Sequence, residues 1–106
     1  MTKKRYKIEF RFSKLAMMRF ISHLDLMRVF TRALRRTGIN IYFSEGFSPH
    51  PKISFKRALK LGEESLNEEA AFYLLDDISP EDFRLKLNQQ LPEGIKIEEA
   101  YLSQVI

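Results

Sequence analysis

Residues 22–38 read SHLDLMRVFTRALRRTG, and their punctuation marks a helix at both ends. Ser22 suits the N-cap, and Asp25 stands three positions on as a short capping-box partner. Ile21 before the cap and Leu26 inside it fit a hydrophobic staple. Gly38 supplies the left-handed stop. Between these ends, Leu26, Met27, Phe30, Ala33 and Leu34 recur on one helical face. The spacing predicts a helix from His23 to Thr37 with one buried side. Asp25, Arg28, Arg32, Arg35 and Arg36 take the other side.

Working outward, YKIEFRF (6–12) alternates. Tyr6, Ile8, Phe10 and Phe12 fall on one face and Lys7, Glu9 and Arg11 on the other, as in a half-buried strand. SKLAMMRFI (13–21) has no period and reads as a loop that packs apolar side chains. INIYF (39–43), KISF (52–55) and EEAAFYLL (68–75) read as strands, with GEES (62–65) a turn. Ser79-Pro80-Glu81-Asp82 starts a second helix: a cap, a proline at the first position, acids in the first turn. Phe83, Leu87 and Leu91 line its core face, and Pro92-Glu93-Gly94 ends it. IKIEEAYL (95–102) is a last strand whose alternation slips at Glu98-Glu99, where a bulge is expected. The order is β-α-β-β-β-α-β over one domain, residues 1–106. It implies an α+β, ferredoxin-like two-layer sandwich, with two helices on one face of a mostly antiparallel sheet.

A length of 106 residues suits one domain with one modest core. No apolar run approaches the roughly 18 residues of a spanning helix. MTKKRYKIEF is basic but has no signal-peptide hydrophobic region, so a cytoplasmic protein without a membrane partner is expected. There are 0 cysteines, which excludes disulfides, zinc-thiolate sites and iron–sulfur ligation by this chain. Charge is divided along the chain. Residues 1–60 carry 15 Lys and Arg against 3 Asp and Glu, whereas residues 61–106 carry 3 against 11. Such polarity suits a basic surface for an anionic partner. It also suits two halves that partly neutralise one another.

Three features carry candidate chemistry. Arg28, Arg32 and Arg35 recur at i, i+4 and i+7, flanked by Arg36 and preceded by Lys14 and Arg19. Guanidinium forks match phosphate oxygens, so this face is a candidate anion or RNA site. The plainer reading is a solvated helix face with cations near the favourable C-terminus. The second feature is the loop in YFSEGFSPHPKISF (42–55). Gly46 allows a tight turn, and Pro49 and Pro51 hold His50 on a stiff strut beside Lys52. Phe47 is expected to tuck back onto the core, or otherwise to offer a stacking platform. The third feature is His23, which falls on the apolar helix face and reads as a boundary residue. Two histidines without cysteine or a carboxylate cluster argue against a metal site. The 4 scattered glycines form no phosphate-cradling loop, and no cofactor is expected. A metal-independent RNA-processing enzyme using His23 or His50 as general base stays open as a chemical alternative.

With these motifs in view, RFSKLAMMRFISHLDLMRVFTRALRRTGINIYFSEGFSPHPKISF (11–55) resembles a bacterial radical-SAM-associated family, a domain of unknown function. That family occurs alone or fused to the C-terminus of B12-binding radical-SAM proteins. The likeness covers about residues 10 to 62. It rests on a basic-aromatic loop, Ser-His-Leu-Asp, an arginine-rich helix and Gly-Phe-x-Pro-His-Pro. Ser48 stands where an asparagine is expected, an exchange that keeps a turn-capping side chain. The resemblance implies a radical-SAM protein as partner. The family's domain is usually about twice as long, so the likeness also reads this chain as an N-terminal half. Both implications suit an accessory RNA-presenting module or, alternatively, a protein-docking domain.

Overall fold

The computed structural model describes residues 4–44, 46–57 and 62–106. Its elements are β1 (Tyr6–Lys14), a short 3-10 turn (Ala16–Phe20), α1 (His23–Thr37), β2 (Ile53–Phe55), β3 (Ser65–Leu74), α2 (Pro80–Gln90) and β4 (Ile95–Val105). The sheet order is β2-β3-β1-β4, and each neighbouring pair is antiparallel. Each helix therefore connects two parallel strands with a third strand between them. This is the ferredoxin-like α+β sandwich, with α1 and α2 on one face.

Alternation along β1 decides which face is covered. Ile8, Phe10 and Phe12 are buried. On the same side lie Phe72 and Leu74 of β3 and Ile95 and Ile97 of β4, with Leu26, Phe30 and Leu34 of α1 and Phe83 and Leu87 of α2 packed against them. Leu91, just past the end of α2, packs partly buried on that core. The odd-numbered residues Lys7, Glu9 and Arg11 face the other way, opposite Tyr73, Ala71 and Glu69 of β3. The expected irregularity in β4 is present: its register with β1 shifts between Arg11 and Phe12. Glu98 there accepts a hydrogen bond from the Ser13 hydroxyl at 3.3 Å.

The segment 39–43 is not a strand. It makes only isolated bridges, Ile41 to Leu74 and Phe43 to Pro51. Its alternation reports burial rather than ladder pairing, because Ile39 and Ile41 are core residues. Asn40 between them is tied elsewhere. Its backbone N–H and its side-chain amide donate to Asp76 at 2.8 and 3.0 Å. Those two bonds hold the Asp76 carboxyl below the usual carboxylate range. The element order is accordingly β-α-β-β-α-β.

Gly94, in the turn from α2 to β4, has φ +96°, and an added Cβ would lie 2.7 Å from the Leu15 carbonyl oxygen. The Leu15 N–H in turn donates to the Gly94 carbonyl at 2.8 Å. Gly94→Ala is expected to cost about 1–3 kcal/mol from backbone strain alone, and more from the clash. A urea midpoint equal to that of the parent protein would contradict this.

Candidate nucleic-acid interface

The caps of α1 form as the sequence requires. The Ser22 hydroxyl accepts from the Asp25 N–H at 3.1 Å, and Gly38 adopts φ 78°. The caps fix the ends of the helix, and its apolar stripe turns Leu26, Phe30, Ala33 and Leu34 into the core and the arginines away. Arg28 donates to Asp25 at 3.2 Å. Arg32, Arg35 and Arg36 are exposed and form no ion pair among the described residues.

The loop after α1 folds back beside this face. Ser44 and His50 close it: the Ser44 N–H donates to the His50 carbonyl at 2.8 Å, and the His50 N–H donates to the Ser44 hydroxyl at 3.2 Å. The His50 Nδ1 lies 3.1 Å from the Ser48 carbonyl. The same Nδ1 lies 3.2 Å from the Ser44 hydroxyl, so two contacts orient the ring and leave Nε2 without a partner among the described residues. Pro51 is buried and anchors the strut. The result is a groove of about 220 Å³ between α1 and the loop. Leu24, Met27 and Ile53 give it apolar walls, and Arg28, Arg35 and His50 give it polar ones. The imidazole and two of the arginines therefore share one concavity.

The other sequence-derived candidates lie elsewhere. Lys14 is not on the surface: it is 1 % exposed and engaged inside the protein. The strand runs on through Lys14, which pairs with both Ser65 and Ile95, so a residue placed in a loop becomes interior. Arg19 sits on the 3-10 turn with its guanidinium 4.6 Å from the Phe20 ring centroid, outside the groove. Phe47 does not anchor the loop; it projects fully into solvent, following Gly46 at φ 120°. His23 is half-buried and packs edge-on against Phe55 at 4.8 Å, which is a boundary role. Its Nδ1 is buried without a hydrogen-bond partner among the described residues.

Lys52 reaches the opposite side of the sheet, where its ammonium lies 4.6 Å from the Tyr73 ring centroid. Lys7 approaches the same ring at 5.8 Å, and the Arg5 guanidinium lies 4.5 Å from the centroid of Tyr42. The sequence reading missed Arg5, Lys7, Tyr42 and Tyr73. Alternation in YKIEFRF sends Lys7 to this face, but nothing local pairs it with Tyr73, 66 positions away. A hollow of about 570 Å³ lies between Arg5, Tyr42, Ser44, His50 and Lys52. His50 therefore lines both concavities, at the sheet edge that separates them. Among the described residues, no group of three His, Cys, Asp or Glu is placed to hold a metal ion. No described helix is long and apolar enough to cross a membrane.

Residues 7–104 match the family model described as an uncharacterized protein conserved in bacteria, DUF2344. The chain belongs to this family. The match takes in both helices and nearly all of the sheet. No curated protein and no solved structure shows a significant match.

Proposed function

We propose that this DUF2344 domain is a non-catalytic module that binds RNA through the exposed face of α1 and the adjoining Gly46–Lys52 loop. The observation that carries the reading is the shared groove of Arg28, Arg35 and His50. Two guanidinium forks and an imidazole there can bind phosphate oxygens and an adjacent hydroxyl. Arg32 and Arg36 extend the basic face along the helix without an acidic partner among the described residues. The family resemblance adds a radical-SAM protein as the enzyme to which such a module would present its RNA, since this chain has no cysteine for the cluster.

The apolar walls of the groove, with Leu24 at 55 % exposure, support a second reading, in which α1 docks an acidic protein surface. Salt and nuclease separate the two. Arg28, Arg32 and Arg35 on three phosphates should make log affinity fall with log salt at a slope of about −2 on single-stranded and about −3 on duplex segments. A filter-binding titration with tRNA and ribosomal RNA measures it. Absence of binding at low salt, or a partner protein that co-purifies undiminished after nuclease treatment, would defeat the RNA reading in favour of docking.

A further inference from the structure

We propose that the open face of the sheet is a stacking surface for unpaired nucleotides, so that the module selects single-stranded over duplex RNA. This rests on the RNA reading above and names the form of RNA that the site takes. Both helices cover one side of the sheet. The other side carries Tyr42, Tyr73 and Tyr101, the last of them 51 % exposed. Ala71 and Ser54 leave a shallow dish of about 310 Å³ between Lys7, Lys56 and Tyr101.

The charges on this face are uneven in a useful way. Lys56 is taken by Glu69 at 2.7 Å, and Arg11 by Glu99 at 3.4 Å. Glu9 is the acid left over beside them. Arg5, Lys7 and Lys52 form no ion pair among the described residues and rest instead against tyrosine rings. Tyr42 and Tyr73 are half-buried, and a cation resting against such a ring is attracted to it only weakly where water has access. A nucleotide can take both partners at once. Its base stacks on the ring and its phosphate receives the displaced ammonium or guanidinium. Bases inside a duplex have no free face, so only unpaired ones can make the exchange. His50 lines the hollow on this face as well as the α1 groove. A strand held by the arginines can therefore turn the β2 edge and lay its next bases on Tyr42 and Tyr73.

The test uses fluorescence anisotropy with a labelled oligouridylate and with an RNA duplex of matched charge. Tyr73→Ala should weaken oligouridylate binding about tenfold, Tyr73→Phe should restore it, and duplex binding should change in neither variant. Arg35→Glu should weaken both RNAs. Equal loss for both RNAs in Tyr73→Ala, or no loss for either while Arg35→Glu still acts, overturns the stacking surface and leaves the α1 reading standing. If the unsubstituted domain binds neither RNA, the parent reading fails first. Ultraviolet crosslinking of oligouridylate to the unsubstituted domain gives a check that needs no folded variant. Adducts at Tyr42 or Tyr73 support the surface, and adducts confined to the α1 side refute it.

Discussion

Replacing Phe10 by alanine is expected to lower the unfolding free energy by about 3–5 kcal/mol. Phe10 is 1 % exposed, on a strand with neighbours on both sides. Its ring centroid lies 5.4 Å from Phe30 of α1, 5.8 Å from Phe83 of α2 and 5.8 Å from Phe72 of β3. It is thus a ring that both helices meet over the sheet, as is Phe72 beside it. Ring pairs at such distances add to simple area burial, and removing Phe10 loses these three and the pair with Phe12 at 6.0 Å at once. The site can collapse little, because its walls come from four different elements. Domains of this size have about 5–15 kcal/mol to lose, so the variant should sit near the edge of folding. A urea titration would show the midpoint falling with the slope unchanged. Phe10→Leu, which keeps most of the volume, should lose much less. A loss below about 1 kcal/mol for Phe10→Ala would mean that the core repacks freely, contrary to the density of ordinary interiors.

The elements whose signals are local were legible in the sequence. Ser22, the apolar stripe and Gly38 define α1 from both ends, and Ser79-Pro80 does the same for the start of α2. The β4 bulge showed as a break in alternation at Glu98-Glu99. Two other features were decided by partners far along the chain. Residues 39–43 alternate because Ile39 and Ile41 are buried, yet the Tyr42 N–H bonds to Tyr73 and its carbonyl accepts from Lys52, which leaves no continuous ladder. The length of β1, and with it the burial of Lys14, follows from pairing with Ser65 and Ile95. Phe47 looked apolar enough to be an anchor, but Pro51 fills that role and the ring is left outside. The stiffness of the Pro49-His50-Pro51 strut could be read directly. Its position, between the arginines of α1 and the tyrosines of the open face, depends on the whole topology.

Charge reversal at Arg35 should be the most damaging single change for RNA binding, and the contrast with Arg36 makes its cause identifiable. Arg35 and Arg36 both lie in the last turn of α1, where a cation favours the helix dipole and a carboxylate opposes it by about 0.3–1 kcal/mol. Either reversal therefore carries a similar cost to the helix. Only Arg35 lines the groove with His50. If the groove holds phosphate, Arg35→Glu removes one contact and adds a repulsive charge beside Arg28, lowering affinity by roughly ten- to a hundredfold and reducing the salt slope by about 1. Arg36→Glu should cost only a few-fold, through the general field of the face, which salt screens within about 10 Å. Asp25→Asn supplies the opposite sign. It releases Arg28 from its 3.2 Å ion pair and should tighten binding while leaving the Ser22 cap in place, since that cap accepts from the Asp25 backbone N–H. Equal losses at Arg35 and Arg36, measured by filter binding at two salt concentrations, would mean that the helix acts only as a diffuse positive field and that the groove beside His50 is not where the phosphate sits.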